Sequence, residues 1–191
     1  MRTVYACSSN PGKLREFGLA ALPGLKDIEP PEETGDTFEA NAAAKAIYYS
    51  TFTDEIVLAD DSGIEVDALG GAPGVYSARY ATPPRADRQA QDAANNALLL
   101  KNMSGVANRT ARFVCVIALA QKGKVLHVVR GFVEGQVIES LQGAQGFGYD
   151  PLFFYPPFGC TFAEVEGPRK FEVSHRGLAL RQAMAWLHHA R

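Results

Sequence analysis

The amino-acid sequence predicts an α/β domain built on a mixed β-sheet with flanking helices. Three observations carry that expectation. Short apolar runs at 3–7 and 55–60 alternate with segments of helical spacing, the pattern of βα units. The stretch "RTARFVCVIALAQKGKVLHVVRGFVEGQVI" (109–138) alternates apolar and polar residues about a "KGK" turn, which reads as an antiparallel hairpin. Of the 191 residues, 47% are hydrophobic and 21% charged, which suits one domain or two intimately packed lobes with a real core.

Taken in order, "TVYAC" (3–7) is a buried strand, and "PGKLREFGLAAL" (11–22) a helix with Pro11 in its first turn. The loop "EPPEETGD" leads into "TFEANAAAKAIYYS", an alanine-rich helix in which Asp36 and Glu39 have the spacing of a capping box. "EIVLAD" (55–60) is a second strand, ending on acid. The five glycines and prolines at 63, 70, 71, 73 and 74 exclude a regular helix there. A helix over 86–103 follows, then the hairpin, then the Gly-rich loop "GAQGFGYDPLFF". Gly167 and Pro168 are expected to break any helix before Lys170, and "SHRGLALRQAMAWLHHA" closes the chain as a helix with Ser174 as N-cap.

Composition narrows the function. A net charge of −2 gives no field for broad nucleic-acid or membrane binding, so an anionic ligand must be held by local lysines and arginines. Cys7, Cys115 and Cys160 are odd in number and widely spaced, which supports neither a disulfide framework nor a zinc site. The N-terminus lacks the apolar core of a signal peptide, and no apolar run is long enough to span a bilayer. A cytoplasmic protein is the expectation.

Several stretches have the makings of a site. "SSNPGK" follows a strand and opens a helix, as phosphate loops do, yet Cys7 and Leu14 stand where a Walker A motif requires Gly and Ser or Thr. Ser8, Ser9, Asn10 and Lys13, with the backbone N–H groups of the turn, are able to face an anion; an ordinary helix start with a surface lysine uses the same residues. In "ADDSG", Asp60 and Asp61 repel each other unless a cation or hydrogen-bond donors compensate, and a hard ion such as Mg2+ takes such oxygen ligands; a solvated turn is the other reading. Glu33 is a candidate third ligand, and Lys45, among small residues, a second phosphate grip or a surface lysine. "GFGYD" offers Phe147 and Tyr149 as stacking faces and Asp150 as an acceptor, or simply a turn with aromatic packing. His175 and Arg176 of "SHRG" are donors suited to a carbonyl oxygen, whereas His127, His188 and His189 show no ligand spacing.

"SSNPGKLREF", "EETGDTFEANAAAKA", "LADDSGIEVDALGGAPGVYSARYA", "GFGYDPLF" and "SHRGLAL" stand in the order and spacing of the inosine triphosphate pyrophosphatases, the non-standard purine NTP pyrophosphatases. The sequence resembles the bacterial branch of that family from about residue 3 to the final helix. The resemblance implies a twisted mixed sheet with flanking helices, two lobes with a central substrate cleft, and a homodimer. It also implies Mg2+-dependent hydrolysis of ITP, dITP and XTP to the monophosphate and pyrophosphate. By motif position, Ser8, Ser9, Asn10, Pro11, Gly12, Lys13 and Lys45 would hold the triphosphate. Asp61 would be metal ligand and general base, supported at the metal by Asp60 and Glu33, and Ser62 would touch substrate. Phe147, Gly148, Tyr149 and Asp150, completed by Lys170, His175 and Arg176, would form the base pocket. Two departures stand out: where the family usually has glutamate before the asparagine of "TFEAN", this chain has Ala40, and Glu39 is assigned no catalytic part; and before Lys170, where the family tends to be acidic and helical, this chain reads "EGPRKFEVSHRG". A Maf-like pyrophosphatase for other nucleotides and a non-enzymatic nucleotide-binding module are the alternatives.

Overall fold

Eleven residues from Ile56 to Val66 form the longest strand of the first half of the chain, buried except at Ser62 and Glu65, and it carries Asp60, Asp61 and Ser62. The structure, a computed structural model that describes residues 3–189, contains six strands and five α-helices among those residues, numbered here in chain order. The strands are β1 (Val4–Ala6), β2 (Ile56–Val66), β3 (Thr110–Gln121), β4 (Lys124–Val137), β5 (Phe153–Tyr155) and β6 (Cys160–Thr161). They lie in one sheet in sequence order, with β1 parallel to β2 and β5 antiparallel to both β4 and β6. The sheet is mixed and the class is α/β, as expected. Lys122 and Gly123, both at positive φ (51° and 75°), make the two-residue turn that joins β3 to β4 and matches the twist of a hairpin.

The helices are α1 (Pro11–Phe17), α2 (Phe38–Tyr49), α3 (Arg88–Asn102), α4 (Gly167–Val173) and α5 (His175–His189). Four local expectations are corrected. α1 stops at Phe17 because Gly18 takes the left-handed conformation and donates its N–H to the Leu14 carbonyl. Thr37, not Asp36, caps α2, its hydroxyl accepting the Ala40 N–H at 3.1 Å. β2 does not end on acid but runs on through Asp60, Asp61 and Ser62 to Val66. Gly167 and Pro168 open α4 instead of breaking it, since proline's missing N–H is harmless in a first turn. Ser174 immediately precedes α5, while Ala190, which the sequence reading gave to that helix, lies outside the described residues.

The chain divides into two compact units whose boundaries fall inside β2, β3 and β4. Unit 1 comprises residues 1–62, 115–131 and 175–191, and unit 2 comprises 63–114 and 132–174. Unit 1 buries Ile56–Ala59 of β2 and Val116–Ala120 of β3, with Ala42 and Ala46 of α2 and Ala179 and Ala183 of α5 fully enclosed. Small residues on those helices let backbone approach backbone. Unit 2 is built instead on aromatic mass: Phe113, Phe153 and Phe162 meet at centroid distances of 4.4 to 6.1 Å, with Leu99 and Met103 of α3 completing the cluster. Among the described residues no helix is long and apolar enough to cross a membrane.

Candidate active site

In unit 1, β2 delivers two adjacent acids into a setting of cations. Asp60 and Asp61 are 3% and 6% exposed, too buried to remain charged without partners. Lys13, from the first turns of α1, places Nζ 2.8 Å from Asp60 Oδ2. Burial alone would raise the Asp60 carboxyl, but the charges of Lys13, Lys45 and Arg176 outweigh it and hold Asp60 below its ordinary value. Cys115 Sγ lies 4.0 Å from the same Oδ2, and burial pushes that thiol well above its ordinary range.

Asp61 is tuned the other way. Burial raises its carboxyl, and Lys45 and the Asn41 amide only partly offset that. Asn41 Nδ2 donates to Asp61 Oδ2 at 2.9 Å, while Asn41 Oδ1 accepts the Gly35 N–H at 2.8 Å, tying the acidic loop to the strand. Lys45 Nζ lies 2.5 Å from Glu33 Oε1 and 3.7 Å from Asp61 Oδ1. Burial would lower this ammonium, yet Asp61, Asp60 and Glu33 together raise it, so Lys45 stays cationic. Adjacent carboxylates titrating in opposite directions are a hallmark of acid–base sites.

The loop of residues 8–10 is organised by its own side chains. Asn10 Oδ1 accepts the Gly12 N–H at 2.9 Å, and Ser8 Oγ accepts the Asn10 N–H at 3.2 Å. Asn10 Nδ2 is buried without an acceptor among the described residues. Arg176 enters from the start of α5, with its guanidinium 3.1 Å from Glu16 Oε2 and 3.2 Å from Ser62 Oγ. His175 beside it is 1% exposed. Unit 1 therefore gathers Ser8–Lys13, Glu33, Lys45, Asp60, Asp61, Ser62, His175 and Arg176. Glu39 points elsewhere: its carboxylate pairs with Arg130 at 2.8 Å on the surface.

Unit 2 holds the other predicted residues, Phe147, Gly148, Tyr149, Asp150 and Lys170. Lys170, on α4, is 3% exposed and ion-paired with Asp150 at 2.6 Å. Asp150 Oδ2 also accepts the Phe147 N–H at 2.9 Å. Tyr149 belongs to the core: it is 5% exposed and its hydroxyl donates to the Ser77 carbonyl at 2.8 Å. Phe147 remains half-buried, with the Lys170 ammonium 5.3 Å from its ring centre.

Sequence reasoning passed over Asn41, Glu16, Asp92 and Asn96. Asn41 left one trace, a polar residue within an alanine-rich helix; the others sit on helix faces with no pattern to mark them.

Among the described residues no three His, Cys, Asp or Glu side chains stand together as a ready-made metal cage. Mg2+ seldom needs one, since it binds through one or two carboxylates, its own waters and substrate phosphates. The hard oxygens of Asp60, Asp61 and Glu33, set beside Lys13 and Lys45, have the chemistry for it.

The Ham1 family model matches residues 4–186. The chain belongs to the Ham1 family. Its full-length relatives include proteins named dITP/XTP pyrophosphatase from an Exiguobacterium strain and from Desulforamulus reducens. The first is 50% identical over 97% of this chain and 96% of the relative, the second 46% over 96% and 94%. Among solved structures, the Staphylococcus aureus Ham1 protein is 35% identical with a TM-score of 0.87, each chain covered completely. A nucleoside-triphosphatase / dITP/XTP pyrophosphatase from Mycobacterium abscessus is 37% identical with a TM-score of 0.74, over 97% of this chain and 99% of that one. The Ham1 fold thus accounts for nearly the whole chain, and the kinship expected from the motifs is borne out at family level.

Proposed function

We propose that this Ham1 chain is a nucleoside-triphosphate pyrophosphatase that hydrolyses ITP, dITP and XTP to the monophosphate and pyrophosphate with Mg2+ as cofactor. The observation that carries the reading is the buried Asp60–Asp61 pair set against two partly buried lysines, Lys13 2.8 Å from Asp60 and Lys45 3.7 Å from Asp61. The names of its full-length relatives point to the same chemistry.

Lys13 and Lys45, with the 8–12 loop and the Asn10 amide, bind and orient the triphosphate. Asp60, Asp61 and Glu33 would hold Mg2+, which when bound neutralises phosphate charge and acidifies a neighbouring water. Asn41 donates to Oδ2 of Asp61 at 2.9 Å and the Ser62 N–H to Oδ1 at 3.0 Å, so the carboxylate that takes the proton of the attacking water is oriented at both oxygens. Attack is in line at the α-phosphorus, and the pyrophosphate leaving group departs toward the lysines. Positioning and charge compensation do most of the catalytic work, since phosphoryl transfer asks little covalent chemistry of a protein.

For the base, Phe147 is the candidate stacking face, and His175 and Arg176 are the candidate donors for a 6-oxo group. Adenine presents an amine there, so each unmet donor costs about 1–3 kcal/mol. A homodimer working in the cytoplasm completes the proposal, and sedimentation velocity on the purified chain tests the dimer.

Incubation with ITP, dITP, XTP, GTP and ATP plus Mg2+, resolving pyrophosphate from orthophosphate by phosphorus NMR, tests the reaction. Pyrophosphate with ITP and XTP well ahead of ATP is expected. Orthophosphate as sole product overturns the reaction class, equal turnover of ATP and ITP overturns the specificity, and binding without turnover makes the chain a binding module.

A further inference from the structure

The loop assigned to the base is held by a helix that none of the sequence motifs includes. α3 carries Arg88, Asp92 and Asn96 at intervals of four residues, one stripe along one face. Asp92 Oδ2 accepts the Gly148 N–H at 3.0 Å, and Asn96 Nδ2 donates to the Gly148 carbonyl at 2.9 Å. Both polar groups of one backbone residue are thus taken by side chains one helical turn apart. Gly148 has φ 63°, a left-handed conformation that a residue with a Cβ resists, so the grip fixes an unusual bend. Arg88 extends the stripe, its guanidinium 5.4 Å over the Phe147 ring and its Nε 3.8 Å from Asp92 Oδ2.

Asn96 is poorly suited to stabilisation alone. It is 6% exposed, and its Oδ1 is buried with no hydrogen-bond partner among the described residues. A buried acceptor left unmet costs stability that an apolar side chain would not. What the amide supplies is its other end, the hold on Gly148.

We propose that Asp92 and Asn96 are positioning residues for base recognition: by gripping the N–H and C=O of Gly148 they set where Phe147 stands, and so govern discrimination among purines without touching substrate. This rests on the reading that residues 147–150 meet the base.

The test uses the full chain as Asp92→Ala, Asp92→Asn and Asn96→Leu. It reads KM and kcat for ITP and ATP, inhibition by inorganic tripolyphosphate, and hydrogen exchange of residues 144–150. Asp92→Ala and Asn96→Leu are expected to raise KM for ITP roughly 10-fold, as misplaced binding groups do. With that, kcat changes little, the ITP-to-ATP preference shrinks and tripolyphosphate inhibition is unaltered. Asp92→Asn, whose amide oxygen still accepts the Gly148 N–H, restores KM. Asn96→Leu keeps the wild-type thermal midpoint, because it also removes the unmet acceptor. An unchanged KM and preference in both variants, or a loss confined to kcat, overturns the proposal. If the wild-type chain turns over ITP and ATP equally, it is the proposed function that falls. Exchange then decides the grip: faster exchange at 146–150 in both variants upholds it, and unaltered exchange removes it.

Discussion

Lys170 Nζ lies 2.6 Å from Asp150 Oδ2, and each side chain is only 3% exposed. A charge pair this deep has been stripped of water, and each member depends on the other. Lys170→Ala is therefore expected to destabilise the protein by about 3–5 kcal/mol, because it strands the Asp150 carboxylate. Lys170→Met combined with Asp150→Asn should recover most of that, since no charge is left behind. Urea unfolding of the single and double variants measures both.

Asp61→Asn separates chemistry from fold. The new amide keeps the strand and a partner for Asn41 but loses the base, so kcat should fall by about 10²-fold or more. The thermal midpoint should stay within a few degrees of wild type. Near-normal pyrophosphate release from this variant would remove Asp61 from the mechanism.

How far the sequence spoke for itself differs from place to place. The motif residues were legible because hydroxyls, lysines and paired acids at strand ends have few other uses in such density. The extent of β2 was not, since "DDSG" has the composition of a turn; the strand continues because Lys13, Lys45 and Asn41 satisfy acids that would otherwise end it. The start of α4 was misread because Gly-Pro is a breaker inside a helix and an opener at its first turn. Asp92 and Asn96 stayed silent, since contacts to a backbone 56 and 52 residues away leave no local pattern.

Gly63 tests the packing just beyond the acids. A Cβ placed there would lie 2.3 Å from Ser77 Oγ and 2.6 Å from the Gly74 carbonyl. That hydroxyl already accepts the Ile64 N–H at 2.9 Å, so it cannot move aside freely. Gly63→Ala should cost about 1–3 kcal/mol, the usual toll of overpacking, read as a lowered thermal midpoint.

Alkaline pH should find the buried thiol of Cys7. Burial pushes it from its ordinary 9.0 up to about 12. Between those values the unfolded chain has lost a proton that the folded chain retains, so stability falls as pH rises, by up to ~1.4 kcal/mol per unit. The contribution is complete below pH 9 and lost as pH climbs toward 12. Unfolding free energies at pH 8, 9 and 10 should slope less steeply in Cys7→Ala than in wild type, whatever offset the smaller side chain adds.

A Cβ at Gly131 would come within 2.3 Å of the His175 carbonyl oxygen and 2.6 Å of the Ala179 N. Nothing bulkier than hydrogen fits between that point of β4 and the opening turn of α5. The helix that carries His175 and Arg176 is thus seated directly on bare main chain, as a key blank sits in a milled slot. Any substitution at 131 would shift both recognition residues together. Position 131 therefore accepts no side chain unless the helix that presents both residues moves with it.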